Sequence, residues 1–238
     1  MKYYRSLIPK TAQEHIVSTH KSNGQKQKVE YLLNGELVGI RWIDEDGEMG
    51  METPYKNGLA HGTQYYFDAD FDGTLRVTFA EPYRGGLAHG MARQWSNDGK
   101  RIIGTYTMKH GTGIDLWRNW SYESKSYYLS EVRYVRNGKW HGFEWWLNEN
   151  QKTIHSENHF WEDLQHGIQR KWNSKGRLMR GYPRYWVNNE RVFKRQYLRA
   201  RAKDCNLPPF READNLPQRM FPAEVLAAIK RVPSSEPE

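Results

Sequence analysis

Tyr55-Lys-Asn-Gly-Leu-Ala-His-Gly62 recurs as Tyr83-Arg-Gly-Gly-Leu-Ala-His-Gly90 and as Tyr134-Val-Arg-Asn-Gly-Lys-Trp-His-Gly142. In each copy a Gly stands four residues before the Gly of a His-Gly pair, and a Tyr lies a little upstream. Trp161-Glu-Asp-Leu-Gln-His-Gly167 is a looser copy, and Tyr31-Leu-Leu-Asn-Gly-Glu-Leu-Val-Gly39 replaces the His with Val38. Thr107-Met-Lys-His-Gly111 is a degenerate one. Glycines 39, 62, 90, 111, 142 and 167 are read as anchors, at intervals of 23, 28, 21, 31 and 25 residues. Self-similarity on this scale signals an array of supersecondary units, none of which buries its apolar face alone.

A second punctuation falls between the anchors: Asp46-Gly47, Asp72-Gly73, Asp98-Gly99 and Lys175-Gly176, with Asn148-Glu-Asn150 in the matching place. After most anchors comes a short ring-rich run: Ile40-Arg-Trp-Ile43, Thr63-Gln-Tyr-Tyr-Phe67, Met91-Ala-Arg-Gln-Trp95, Phe143-Glu-Trp-Trp-Leu147 and Ile168-Gln-Arg-Lys-Trp172. Such runs have the length of one strand. Asn-Gly and Asp-Gly accept the positive φ of tight hairpin turns. Each unit therefore reads as strand, Asp-Gly turn, strand, Asn-Gly turn, and successive units form a meander. The expected fold is mainly β: an elongated single-layer antiparallel β-meander of hairpin repeats with a short helical C-terminal cap. Residues 1–30 form a divergent N-terminal hairpin or arm, 31–189 the repeat sheet, and 190–238 the cap and tail.

The Tyr-x-Asn-Gly-x-x-His-Gly pattern, followed by an aromatic strand and Asp-Gly, resembles the MORN repeat. It is most similar to the bacterial variant in proteins labelled as YwqK-family antitoxin components. The resemblance spans roughly residues 31–192, with its best copies at 55–73, 83–99 and 134–150. The second Gly of the eukaryotic Gly-x-Gly is absent after Gly62, Gly90, Gly142 and Gly167. What the resemblance implies is a curved sheet of repeats used as a scaffold or binding surface, in some MORN proteins a surface for anionic lipid.

The ends differ from the middle. Ile16-Val-Ser-Thr-His20 and Gln27-Lys-Val-Glu-Tyr31 flank a Ser22-Asn-Gly24 turn and suggest a further hairpin. Asn188-Asn189 is a candidate cap for a helix from about Glu190 to Lys203, with Phe193, Tyr197 and Ala200 on one face. Leu207-Pro-Pro-Phe210 breaks it. A second helix starts at Pro222, carries Val225, Leu226 and Ile229 on one side, and ends at Pro233, with 234–238 frayed. These helices are expected to fold back over the last sheet edge; the competing arrangement projects the basic helix toward a partner.

The 238 residues are only 37% hydrophobic, but 14% are aromatic, including 10 Trp and 15 Tyr, so rings must supply the burial that aliphatics usually supply. One cysteine, Cys205, excludes an internal disulfide framework and a multi-cysteine zinc site. The first residues lack the apolar stretch of a secretory signal and no run is long enough to span a membrane, so the expected compartment is the cytoplasm. Net charge is +8, yet Arg170 to Lys203 holds twelve basic residues against Glu190 alone. That window carries +11 and the rest of the chain −3.

Candidate chemistry is sparse. Asp68-Ala-Asp-Phe-Asp-Gly73 opens like a calcium loop, but Phe79 stands where the bidentate Glu is needed, and a hairpin turn is the better reading. His155, Glu157 and His159 fall on one face of a strand, without an identified fourth zinc ligand, and are read as two exposed histidines and an acid. The repeated His-Gly histidines read as structural, a ring nitrogen bonding a turn carbonyl. Cys205 reads as an ordinary thiol. Walker, dinucleotide and nucleophile-elbow motifs are absent, so no enzyme, cofactor, metal or small-molecule substrate is expected. In an exposed sheet face Trp42, Trp95, Trp145, Trp146 and Trp172 cannot all be deeply buried. The expected function is a non-enzymatic protein-interaction scaffold or regulatory, antitoxin-like binding module. Its anchors would be Trp95, Trp145, Trp146 and Trp172, flanked by Arg170, Lys171, Arg177, Arg180 and Arg184. The alternatives are nucleic-acid binding through 170–203 and binding to anionic membrane lipid.

Overall fold

The computed structural model describes residues 4–69 and 74–231. The acidic loop at 70–73 and the segment from Pro233 lie outside the described residues. The chain forms two compact units, Met1–His110 and Gly111–Glu238. The first contains β1 (Gln13–Thr19), β2 (Lys26–Leu33), β3 (Glu36–Ile43), β4 (Met49–Lys56), β5 (Leu59–Ala60), β6 (Gly62–Ala69), β7 (Leu75–Arg84), β8 (Leu87–Ala88), β9 (Gly90–Trp95) and β10 (Ile102–Lys109). The second contains β11 (Thr112–Ser121), β12 (Ser126–Arg136), β13 (Lys139–Leu147), β14 (Ile154–Trp161), β15 (Leu164–Gln165), β16 (Gly167–Lys171), β17 (Arg184–Val187) and β18 (Glu190–Val192). Helix α1 (Lys194–Arg201), a 3-10 turn at Glu212–Asn215 and α2 (Ala223–Lys230) complete it. In both units sequential strands pair antiparallel, so the fold is a mainly β meander. No helix among the described residues is long and apolar enough to cross a membrane.

One set of reversals is uniform. Asn34-Gly35, Asn57-Gly58, Gly85-Gly86, His110-Gly111, Asn137-Gly138, Glu162-Asp163 and Asn188-Asn189 all have positive φ at both positions, as two-residue hairpin turns require. They recur at intervals of 23, 28, 25, 27, 25 and 26 residues. Four of them are hydrogen-bonded to the previous one or to the second residue beyond it: Gly86 N–H to Ala60 O, Gly138 to Gly111 O, Asp163 to Trp140 O and Asn189 to Gln165 O, at 2.8–3.0 Å.

The His-Gly pairs sit beyond these turns, inside the returning strand. Tyr55 faces Ala60 and Glu52 faces Tyr65, so two residues of β4 oppose four on the other side. The same surplus occurs between β7 and β8–β9, and between β14 and β15–β16. The bulge is closed by the His N–H, which bonds the carbonyl seven residues earlier: His61 to Pro54, His89 to Pro82 and His166 to His159. At Gly62, with φ +109°, an added Cβ would lie 2.9 Å from Pro54 Cγ and 2.7 Å from Leu7 Cδ1. The histidine rings do not bond turn carbonyls as expected. Nδ1 of His89 and of His166 accepts the N–H of His110 and of Asn188, each in the next turn. This frame also corrects one anchor. Gly111 belongs to a turn, equivalent to Gly58 and Gly86, and the residue four positions on, where the other repeats carry the anchor Gly, is Asp115. The corrected anchors 39, 62, 90, 115, 142 and 167 follow the turn spacing.

Asn188-Asn189 is a reversal too, because Asn tolerates positive φ and Tyr185, Trp186 and Val187 pair with Val192, Arg191 and Glu190. The helix expected from Glu190 therefore starts at Lys194, after Gln196 Oε1 accepts the Phe193 N–H.

Terminal segments supply the second layer of each core. In the first unit Ile8 packs with Val29 and Tyr31, and the Tyr4 ring packs edge-on to Tyr65 and Phe67. The Tyr4 hydroxyl donates to Glu52 Oε2 at 2.7 Å, an oxygen that also accepts from Arg41 Nε at 2.8 Å. In the second unit Tyr197 of α1 is fully buried with Ile168, Tyr185 and Leu207. Val225 and Ala228 of α2 are buried, whereas Leu226 is 45% exposed. Arg118 Nη2 donates to Ala228 O. The helices thus lie on a sheet face, against Tyr185 and Arg118. Among the described residues β18 pairs with β17 alone.

Gly62→Ala is expected to lower unfolding free energy by about 2–3 kcal/mol. Gly58→Ala, whose Cβ meets nothing within 4 Å, should cost about 1 kcal/mol for its φ of +74° alone. Urea titrations of the two variants measure the difference.

Candidate functional site

The four tryptophans named as anchors are not alike. Trp95 is 5% exposed, in a cluster with Phe67, Val77 and Ala80. Trp145 and Trp172 are 6% and 3% exposed. Trp145 packs edge-on against Phe221, stacks on Phe143, and donates Nε1–H to Glu157 Oε2 at 2.8 Å. Trp172 donates to Asn215 O at 2.7 Å and carries the Arg219 guanidinium over its ring. These three are core, not free anchors, because segments beyond the repeats are laid over the face that the strands alone would leave open. Trp146 points to the opposite face, half-buried beside His155.

The basic residues divide similarly. Arg170 is 3% exposed and belongs to a buried network. Its Nη1 donates to Glu157 Oε1 at 2.6 Å and its Nε to Asn215 Oδ1 at 3.3 Å, while the buried Nη2 has no partner among the described residues. Arg184 is half-buried, with its guanidinium 4.4 Å from the Tyr182 ring. Lys171, Arg177 and Arg180 are exposed, as are Lys175, Arg191, Lys194, Arg195, Arg199 and Lys203. None of these nine forms an ion pair among the described residues.

Glu157, weighed from the sequence as a zinc ligand and set aside, is the hub of a buried network. Besides Trp145 and Arg170 it accepts from Arg219 Nε at 2.8 Å. Burial would push its carboxyl pKa up; the Arg219 bond and the charges of Arg219 and Arg170 outweigh that and hold it below the usual range. His155 is on the Trp146 side, since a register shift after Trp146 turns it away from Glu157 and His159. His159 is buried, its Nδ1 2.6 Å from His166 O, and burial pushes its pKa down. No cluster of three or more metal-ligating side chains occurs among the described residues.

Between this network and the segment after α1 lies a cleft of about 710 Å³. Phe143, Trp145, Ile168, Leu207 and Met220 supply apolar walls; Arg170, Arg211, Arg219, Glu157 and Asp214 supply its charges. Cys205, exposed and free, stands at its rim.

The opposite face holds a second polar network. Asp115, Arg133, Glu144 and Asn158 are cross-strand neighbours in β11 to β14. Arg133 pairs with Asp115 at 3.6 Å, with Glu144 at 3.3 Å and closely with Glu131, and its guanidinium covers the Trp140 ring at 4.4 Å. One cation serves three carboxylates. Burial pushes the Glu131 pKa up, Arg133 pulls it back, and Glu144 and Asp115 add repulsion, leaving it at about 7.

No family model matches the chain, and no curated protein matches it either.

A carboxyl whose pKa is higher folded than unfolded binds its extra proton only in the folded state. Stability should therefore fall as pH rises from the ordinary Glu value of about 4.5 to about 7. Glu131→Gln is expected to flatten that fall and to be more stable than the parent above pH 7, read by urea unfolding across the range.

Proposed function

We propose that this protein is a non-enzymatic interaction scaffold whose basic C-terminal face docks an acidic protein surface. The observation that carries the reading is the set of nine exposed cations between Lys171 and Lys203, unpaired among the described residues, in a chain that is otherwise net acidic. Exposed like charges repel one another, and an anionic partner relieves that repulsion while steering encounter. Their supports also favour a scaffold. Strands β16 to β18 and α1 are held by buried Tyr185, Tyr197 and Ile168, so Lys171, Arg191, Lys194, Arg195 and Arg199 sit on packed elements, while Lys175, Arg177 and Arg180 lie in the loop between β16 and β17. The MORN-like repeat pattern and its likeness to YwqK-family antitoxin components fit the same reading: a bacterial, cytoplasmic chain that binds and regulates a partner.

Nucleic acid is the weaker reading. It needs phosphate contacts together with rings free to stack on bases, and Trp95, Trp145 and Trp172 are buried. A lipid surface would likewise read charge alone.

Charge reversal at Arg177 and Arg180, both exposed, should leave the thermal midpoint within a few degrees of the parent. It should weaken capture of an acidic protein partner from the native host by at least about tenfold, measured by quantitative pull-down. Unchanged capture, or steeply salt-dependent binding to random oligonucleotides or anionic vesicles with no protein captured, would overturn the reading.

A further inference from the structure

We infer that the face of β16–β18 turned away from α1 grips the partner, and that it takes an extended acidic segment carrying one large apolar side chain. The inference rests on the docking reading and adds to it a place, an anchor and a sequence class for the partner.

Register gathers the residues. Gln169 pairs with Arg184, and Trp186 with Arg191. Cross-strand partners share a face and side chains alternate along a strand, so Lys171, Arg184, Trp186 and Arg191 stand together. Ile168, Tyr185 and Val192 go to the other side, against Tyr197 of α1. Phe193 follows β18 with its backbone still extended, φ −76° and ψ 153°, so its ring falls on the Arg191 side. The sequence leads one to expect Phe193 on a packed helix face with Tyr197 and Ala200; it is instead the N-cap of α1 and 81% exposed.

A groove of about 470 Å³ lies here, and Pro183, Arg184, Arg191, Val192 and Phe193 line it. These walls are within reach of a partner, since Phe193 and Arg191 are exposed and Pro183, Arg184 and Val192 half-buried. A lone exposed apolar side chain is ordinary. An exposed ring beside Arg at a groove has the composition of an interface anchor. Because β18 pairs with β17 alone among the described residues, an extended segment can lie along it.

Charge selects the segment. Lys171, Arg184 and Arg191 meet no carboxylate of these three strands on their face, because Glu190, the one acid between Arg170 and Lys203, alternates to the α1 side. Phe193 selects the apolar residue, which a bare polyanion lacks. A single strand of nucleic acid needs rings in succession, and here one ring stands clear.

Fluorescence polarisation of the full chain tests this with three fluorescein-labelled peptides: alternating Asp and Glu around a central Leu, the same with Ala for that Leu, and the Leu peptide with every acid replaced by Lys. The acidic Leu peptide should bind at least about tenfold more tightly than the Ala peptide, the factor that burial of one such side chain supplies. The Lys peptide should not bind. Phe193→Ala, at an exposed position, should bring the Leu peptide down to the affinity of the Ala peptide. Phe193→Leu should keep most of the preference, which separates loss of the anchor from loss of the fold. Arg191→Glu should weaken both acidic peptides several-fold and preserve their ratio, as should charge reversal at Arg177 and Arg180. Equal affinity of the two acidic peptides, a Leu preference that survives Phe193→Ala, or no binding of either would overturn the inference. Each of these leaves the docking reading to the pull-down with Arg177 and Arg180 reversed, so the two fail separately. Tighter binding of a labelled oligothymidylate would overturn both.

Discussion

The bond from the N–H of one tight turn to the carbonyl of the turn before it is the constraint on which the rest of the structure depends. A two-residue reversal with both φ values positive leaves a backbone donor pointing outward. That donor meets the second residue after the preceding reversal in Gly86 on Ala60, Asp163 on Trp140 and Asn189 on Gln165, and the reversal itself in Gly138 on Gly111. Side chains answer in the other direction, as Asp163 Oδ1 accepts the Trp140 N–H and Asn189 Oδ1 the Gln165 N–H. Sheet pairing alone tolerates slippage where both faces are polar. The seam removes that freedom, since a strand shifted by one residue would lose its turn contact.

A fixed register has energetic consequences on both faces. It brings Glu157 opposite Arg170 and beside Trp145, and it brings Arg133 opposite both Asp115 and Glu144. Buried ion pairs carry a desolvation cost that only well-aligned geometry offsets, and removing one partner of such a pair costs on the order of 3–5 kcal/mol. The Glu157 network meets that condition with three donors, two of them cationic. The Arg133 network does not, and the burden falls on Glu131.

Much of this was legible in local residue types. Asn57-Gly58 and Asn137-Gly138 announce positive φ, and the ring-rich runs after each His-Gly pair announce strands. The hairpin at Ile16 to Tyr31 follows from the same logic. The exposed state of Arg177 and Arg180 was also legible, in a window with a single acid. What escaped was non-local. Thr107-Met-Lys-His-Gly111 imitates a His-Gly bulge, yet its Gly completes a turn, a distinction visible only once the bulge is seen to need three residues between turn and Gly. Asn188-Asn189 reads equally as a helix cap or as a reversal, and pairing of Tyr185 with Val192 decides it. The burial of Trp95, Trp145 and Trp172 and the sequestering of Arg170 depend on segments well separated in sequence, such as Asn215, Arg219 and Phe221. No periodicity in the strands foretells what a distant loop will cover.

The two ends of the hairpins are therefore under different geometric rules. Reversals along the seam are all two residues long, whereas the loops at the other end hold three residues between Asp44 and Glu48 or Asn173 and Arg177, and four between Ser96 and Arg101 or Asn148 and Thr153. Those loops close on their own strands and reach their neighbours through side chains, as Asn23 does to Glu45 O and Gln151 to the Leu129 backbone. Within each unit, length is consequently fixed at one end of the hairpins and varies at the other, and the variable end is where a foreign peptide could be grafted with least disturbance of strand alignment.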